Sequence, residues 1–169
     1  MSVDISHLVM ALGGTVVGKI RLQKVVYLLD QLGLDSGFDF DYHHYGPYSA
    51  GLAEAVDLKI IFGDLSEEQR RRQSDGVPYT VFTANTDVGR FKGEDVGDLK
   101  WLDVERYSAL FEKYSATTLE LAATAFWLAH EEQYTDWRSE LVKRKGVKTE
   151  NGRVEQATQL LKELGLSLK

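Results

Sequence analysis

Cysteine is absent from the 169 residues, which excludes disulfide frameworks, cysteine-ligated zinc and thiol catalysis. Nor does any apolar run approach the roughly 20 residues that cross a bilayer. The opening segment MSVDISHLVMALGGTVVGKIRLQK lacks a basic stretch ahead of its apolar residues, and Asp4, His7 and the Gly13-Gly14 pair interrupt them. A signal peptide is therefore not expected, and the cytoplasm, away from any membrane, is the expected location. Positive charge is the scarcer sign, with 20 Lys and Arg against 26 Asp and Glu and a net charge of −6. Non-specific affinity for nucleic acid comes mainly from neutralised phosphates, so a nucleic-acid partner is not expected either. Two local basic runs, Arg70 to Arg72 and KRKGVK at Lys143 to Lys148, each follow acidic residues (Glu67 and Glu68; Glu140) and read as solvated helix faces.

What is present is an ordinary globular composition, 43% hydrophobic, 27% charged and 11% aromatic, in a chain long enough to bury about two thirds of its unfolded surface. The periodicities predict one domain over residues 1–169, mainly α (α+β): a compact helical domain with a small antiparallel β element. Its parts are an N-terminal half (1–85), a loop (86–100) and C-terminal helices (101–165). A first helix runs from about Val3 to Leu12 and stops at the glycine pair. In the second, Leu22, Val25, Val26, Leu29 and Leu32 form a core stripe, with Gln23, Lys24, Tyr27, Asp30 and Gln31 on the opposite side and Gly33 as the stop. Between Phe38 and Tyr45 the period changes to two, which predicts a short strand. Gly46-Pro47 breaks it, and Pro47 suits the first turn of a helix through Leu52, Val56 and Ile60 to Gly63. LSEEQRRRQ reads as a short exposed helix with a weak Ser66/Gln69 capping box, and Val77 to Ala84 as a second strand. The acids of the following loop (Asp87, Glu94, Asp95, Asp98) do not match a calcium loop. Four helices then follow: Leu102 to Tyr114; Thr117 to Glu132, apolar on most sides as a central helix would be; one capped by Asp136 and reaching Arg144; and one from about Asn151 to Gly165.

The adjacent His43 and His44 invite a metal reading. In a strand they point to opposite faces, and His7 and His130 stand alone in separate helices, so no metal is expected. His44, on the face of Phe40 and Tyr42, reads as half-buried; His43 faces outward with Asp39 and Asp41. Ser49 lies in no G-x-S-x-G elbow and reads as a helix N-cap. No acid–base pair or nucleophile set stands at a diagnostic spacing, so no catalytic residue, cofactor or enzymatic activity is expected. The Gln23, Lys24, Tyr27 stripe reads as a contact surface, against the plainer alternative that Tyr27 packs its ring on a neighbouring strand.

RLQKVVYLLDQLG followed by YHHYGPYSAGLAEAV resembles the Panacea domain of SocA-like antitoxins and the related YwgA-like bacterial proteins. Leu22, Gln23, Lys24 and Tyr27 match the first motif; Tyr45, Gly46, Pro47, Tyr48 and Ser49 match the second, whose YGPYS form is nearer the YwgA-like branch. TTLELAATAFWLAHEEQYTDWRSELVKRK also resembles the family's C-terminal helices. The resemblance implies a non-enzymatic interaction module of a toxin–antitoxin system, with a protein partner: a toxin, or the client of a protease adaptor. The partner-binding residues it suggests are Gln23, Lys24, Tyr27, His43, Tyr45, Gly46, Pro47, Tyr48 and Ser49. The alternative is a winged-helix transcriptional regulator, whose helix from Pro47 to Phe62 would enter the major groove. Its face offers Glu54, Asp57 and a lone Lys59, which is poor chemistry for phosphates.

Overall fold

A computed structural model describes residues 1–85 and 92–168. The chain begins with helix α1 (Ile5–Ala11), strand β1 (Thr15–Val17) and helix α2 (Lys19–Gln31), then makes a small hairpin of β2 (Asp41–His43) and β3 (Gly46–Tyr48). Helix α3 (Ala50–Ile61) leads into the longer strands β4 (Leu65–Arg71) and β5 (Pro78–Ala84). Helices α4 (Trp101–Phe111), α5 (Ala116–His130), α6 (Trp137–Lys145) and α7 (Arg153–Leu164) complete the described residues, with one 3-10 turn at Gly146–Thr149. This is an α+β fold with seven α-helices among the described residues and two antiparallel sheets.

The larger sheet has the order β1-β5-β4, with Val16 opposite Phe82 and Glu67 opposite the same Phe82 on its other side. The smaller sheet pairs Tyr42 with Pro47 and His43 with Gly46. One hydrophobic cluster runs from Ile5 to Leu164. At its centre lies α5, where Leu119, Leu121, Ala122, Ala123, Ala125 and Leu128 are all buried. The expectation of a central helix holds, because a helix apolar all round has no solvent face. Its small alanines let α2, α6, α7 and β3 approach closely.

The structure corrects several expectations. Leu65–Arg71 is an edge strand, not a helix: only Leu65 is buried, so neither period has apolar residues to mark it, and pairing with β5 decides its conformation. The proposed capping box is not one, since Ser66 Oγ donates to Asn85 Oδ1 and Gln69 Nε2 to Thr80 Oγ1. Arg70 and Arg71 therefore ride on a charged edge strand, a composition that discourages edge-to-edge pairing. The strand expected from Phe38 shortens to Asp41–His43. Gly46-Pro47 does not open a helix; it returns the chain as β3, Gly46 taking φ +90°, which favours glycine, just after the two-residue turn His44-Tyr45. Helix α3 starts later, at Ala50. Strand β1 is not among the expected elements. Of the expected loop at 86–100, residues 86–91 lie outside the described residues, and the remainder is irregular, with one bridge between Val96 and Leu99.

Candidate functional site

Helix α2 and the β2–β3 hairpin, the two segments that carry the resemblance, are in direct contact. Gln23 lies 6% exposed, Lys24 1% and Tyr27 2%, so the polar stripe of α2 is interior and these three side chains do not form a partner surface. Gln23 and Lys24 satisfy buried backbone, and Tyr27 packs its ring. Gln23 Nε2 donates to the Ser49 carbonyl at 3.0 Å, and the Ser49 N–H donates back to Gln23 Oε1 at 2.8 Å. Ser49 in turn caps α3, its hydroxyl accepting from the Leu52 N–H at 3.1 Å. Lys24 Nζ donates to the Pro47 carbonyl at 2.6 Å. Tyr27 packs edge-on against Phe40, with ring centroids 5.4 Å apart, and tilts towards Trp127. Its hydroxyl has no hydrogen-bond partner among the described residues. Burial, reinforced by Glu131, holds its pKa well above the ordinary phenol value.

The far side of the hairpin is held in the same way. Lys145 Nζ, from α6, donates to the His44 carbonyl at 3.0 Å and pairs with Glu120 of α5 at 3.0 Å. Lys148 meets the same carboxylate at 3.0 Å and lies 4.8 Å from the Tyr45 ring centroid. Gly46 faces α5 so closely that a Cβ there would run into the Thr124 hydroxyl. Two ammonium groups from different helices thus grip one carbonyl in the turn and one in the returning strand, with one buried carboxylate beneath them. Burial pushes the Lys24 pKa down to about 8, against the opposing pull of Glu120, while Lys145 and Lys148 add to the depression. Lys145 is lowered by burial as well, Glu120 again opposing.

The run Lys143 to Lys148 is accordingly not a solvated face throughout: Lys143 is exposed, but Arg144, Lys145 and Lys148 are drawn into contacts. Lys145 is buried on Glu120, and Arg144 pairs with Glu132 at 2.7 Å and Glu140 at 2.8 Å, its guanidinium 4.8 Å from the Tyr42 ring centroid. The signal lay in Glu120, a lone carboxylate inside an apolar helix that requires a buried cation. His44 is exposed, not half-buried, because it sits in the turn and not on the strand face. His43 is exposed too, its ring 4.8 Å from that of Tyr48. His7 packs on Trp101 and His130 on Phe126, away from this hairpin. Among the described residues no three His, Asp or Glu side chains come together as metal ligands would.

Beside the hairpin a cleft of about 550 Å³ opens between α2, β3, α3 and the larger sheet. Leu22, Leu52 and Phe82 contribute its apolar interior, Tyr45 and Tyr48 one wall, Ala53 and Val56 the other. Lys19, Asp57 and Glu67 stand among its lining residues, with Lys19 and Glu67 3.7 Å apart. Gln23 and Lys24 reach the cleft only with side chains whose polar ends serve Ser49 and Pro47. Of the residues suggested for partner binding, the exposed ones are therefore His43 and Tyr45, with Tyr48 half-buried; Gly46, Pro47 and Ser49 are buried scaffold.

These features define an α+β protein whose organised centre is a lysine-held hairpin beside an apolar cleft, with no helix among the described residues long and apolar enough to cross a membrane. No family model matches the chain. The chain is similar to the uncharacterized protein YwgA of Bacillus subtilis (strain 168), at 26% identity over 114 residues. The match takes in 68% of this chain and 66% of that protein, just under two thirds of the relative's length.

Proposed function

We propose that the protein is a non-enzymatic interaction module akin to the Panacea and SocA-type antitoxins, and that it acts in the cytoplasm by holding a protein partner, such as a toxin, at the cleft beside the YGPYS turn. The observation that carries this reading is the cleft itself. It is apolar, walled by tyrosines of the motif, and backed by a turn held through polar bonds to the backbone of His44, Pro47 and Ser49. Pre-organised apolar pockets with aromatic rims are the sites where few residues dominate binding energy.

The order of elements favours a second reading. Leaving aside the small hairpin, the order α1-β1-α2-α3-β4-β5 with the sheet order β1-β5-β4 resembles that of a winged helix, with residues 72–77 in the place of the wing. A DNA-binding regulator would use α3 for recognition. The exposed surface of α3 carries Glu54, Asp57, Leu58 and Ile61, and Lys59 is paired with Asp4 and Asp64. That chemistry favours a protein over phosphates.

Affinity purification from the native host distinguishes the two, using Tyr48→Ala and an Ala53→Trp substitution that fills the cleft. Loss of a specific partner from folded variants supports the module; retention of every partner, or a sequence-specific gel shift with duplex DNA near physiological salt, overturns it.

A further inference from the structure

We infer that the partner segment seated in this cleft is a basic polypeptide carrying an aromatic or long aliphatic anchor, a reading that rests on the cleft being the docking site. The interior accounts for the anchor. A volume of about 550 Å³ falls within the range of small-ligand pockets, and its walls of Leu22, Leu52, Val56 and Phe82 offer no charge to a polar side chain.

The charge around the cleft accounts for the basic flanks. The ammonium of Lys24 is withdrawn from the cleft, turned into the Pro47 carbonyl with the side chain 1% exposed. Lys19 is matched by Glu67. Lys19 is itself exposed, and the accessible charges without an ion-pair partner are acidic. Asp57 lines the cleft, Glu54 lies one helical turn earlier on the exposed surface of α3, and Asp41 is the register partner of Tyr48 across the hairpin. None of these three carboxylates has an ion-pair partner among the described residues. The tyrosine rims suit a cation as well, since aromatic faces attract ammonium and guanidinium groups. Tyr45 already takes Lys148 at 4.8 Å.

Apolar surface continues past the acidic residues. Leu58 is exposed on α3, and Ile61 and the adjoining Phe62 are each 75% exposed. A segment with alternating basic and apolar character would match the carboxylates and this apolar step together. An acidic segment would meet Glu54 and Asp57 with like charge.

Fluorescence anisotropy with the purified full-length protein tests this with three labelled peptides of equal length. One combines Lys and Arg with two Trp, one has the same charges with Ala for Trp, and one has Asp and Glu with two Trp. The first binds saturably and about tenfold more tightly than either of the others. Asp57→Lys, on an exposed helix position with no bond to lose, weakens it by about tenfold, and Ala53→Trp abolishes it, both variants melting as the wild type does. Equal binding of the acidic Trp peptide, Trp-independent binding, binding that survives Ala53→Trp, or no saturable binding of any peptide each overturns the inference. If a host partner is nevertheless lost on Ala53→Trp, the docking site stands and only its chemistry is wrong. If the host partner persists in both variants, the docking site falls with it.

Discussion

Lys24 Nζ lies 2.6 Å from the carbonyl oxygen of Pro47, joining α2 to β3 through a side chain almost wholly removed from water. Burial holds its pKa near 8 when folded against an ordinary 10.5. Between those pH values the unfolded chain holds the extra proton, so stability climbs as pH rises, by up to about 3 kcal/mol. Lys145, lowered by burial too, adds in the same direction. Above about pH 10 the slope reverses, because Tyr27 and Tyr42 have pKa values raised by burial and ionise only on unfolding. Urea titrations from pH 7 to 11 should show a maximum near pH 10, and Lys24→Met should flatten most of the rise. A wild-type profile that falls steadily from pH 8 would contradict the lowered pKa of the buried Lys24.

Gln23 exchanges two hydrogen bonds with the backbone of Ser49. Gln23→Ala strands the Ser49 N–H in a buried site, and a loss of about 1–3 kcal/mol is expected. Chemical denaturation measures it. A variant as stable as the wild type would mean that the clamp contributes nothing net.

Gly46 combines a positive φ with contact against Thr124. Gly46→Ala therefore costs about 2–4 kcal/mol, as strain and steric conflict together do. Pro47→Ala keeps the carbonyl that Lys24 needs and costs less. The reverse order of melting temperatures would show that the turn is not organised by the close approach to α5.

Glu120 is the carboxylate shared by Lys145 and Lys148. Glu120→Gln leaves a buried ammonium without its counter-charge, and the expected loss is about 3–5 kcal/mol. Since Lys145 also holds the His44 carbonyl, exchange of hairpin amide protons should accelerate in the same variant. Unchanged exchange would separate the ion pair from the hairpin.

The helices were legible because their apolar residues recur at helical spacing and four of them carry side-chain N-caps; Ser49 and the buried character of α5 could be read directly. Strand β4 was not, because an edge strand with one buried residue leaves no pattern, and its conformation depends on β5 far along the chain. The two motif segments could be identified by their residues, and they do meet. Their roles were inverted, however. A polar stripe on an amphipathic helix reads as solvent-facing, and only tertiary contact reveals that Gln23 and Lys24 face unpaired backbone from residues 47–49. The cleft was illegible for the same reason, as its walls come from five elements spread between Lys19 and Phe82.

The most direct test of the cleft as the partner site is photo-crosslinking in the native host, with a photoreactive residue placed at Ala53 in the cleft and, separately, at Leu102, an exposed position on α4. The account predicts a discrete protein adduct from position 53 and none from position 102. An adduct from position 102 with none from position 53 would contradict it.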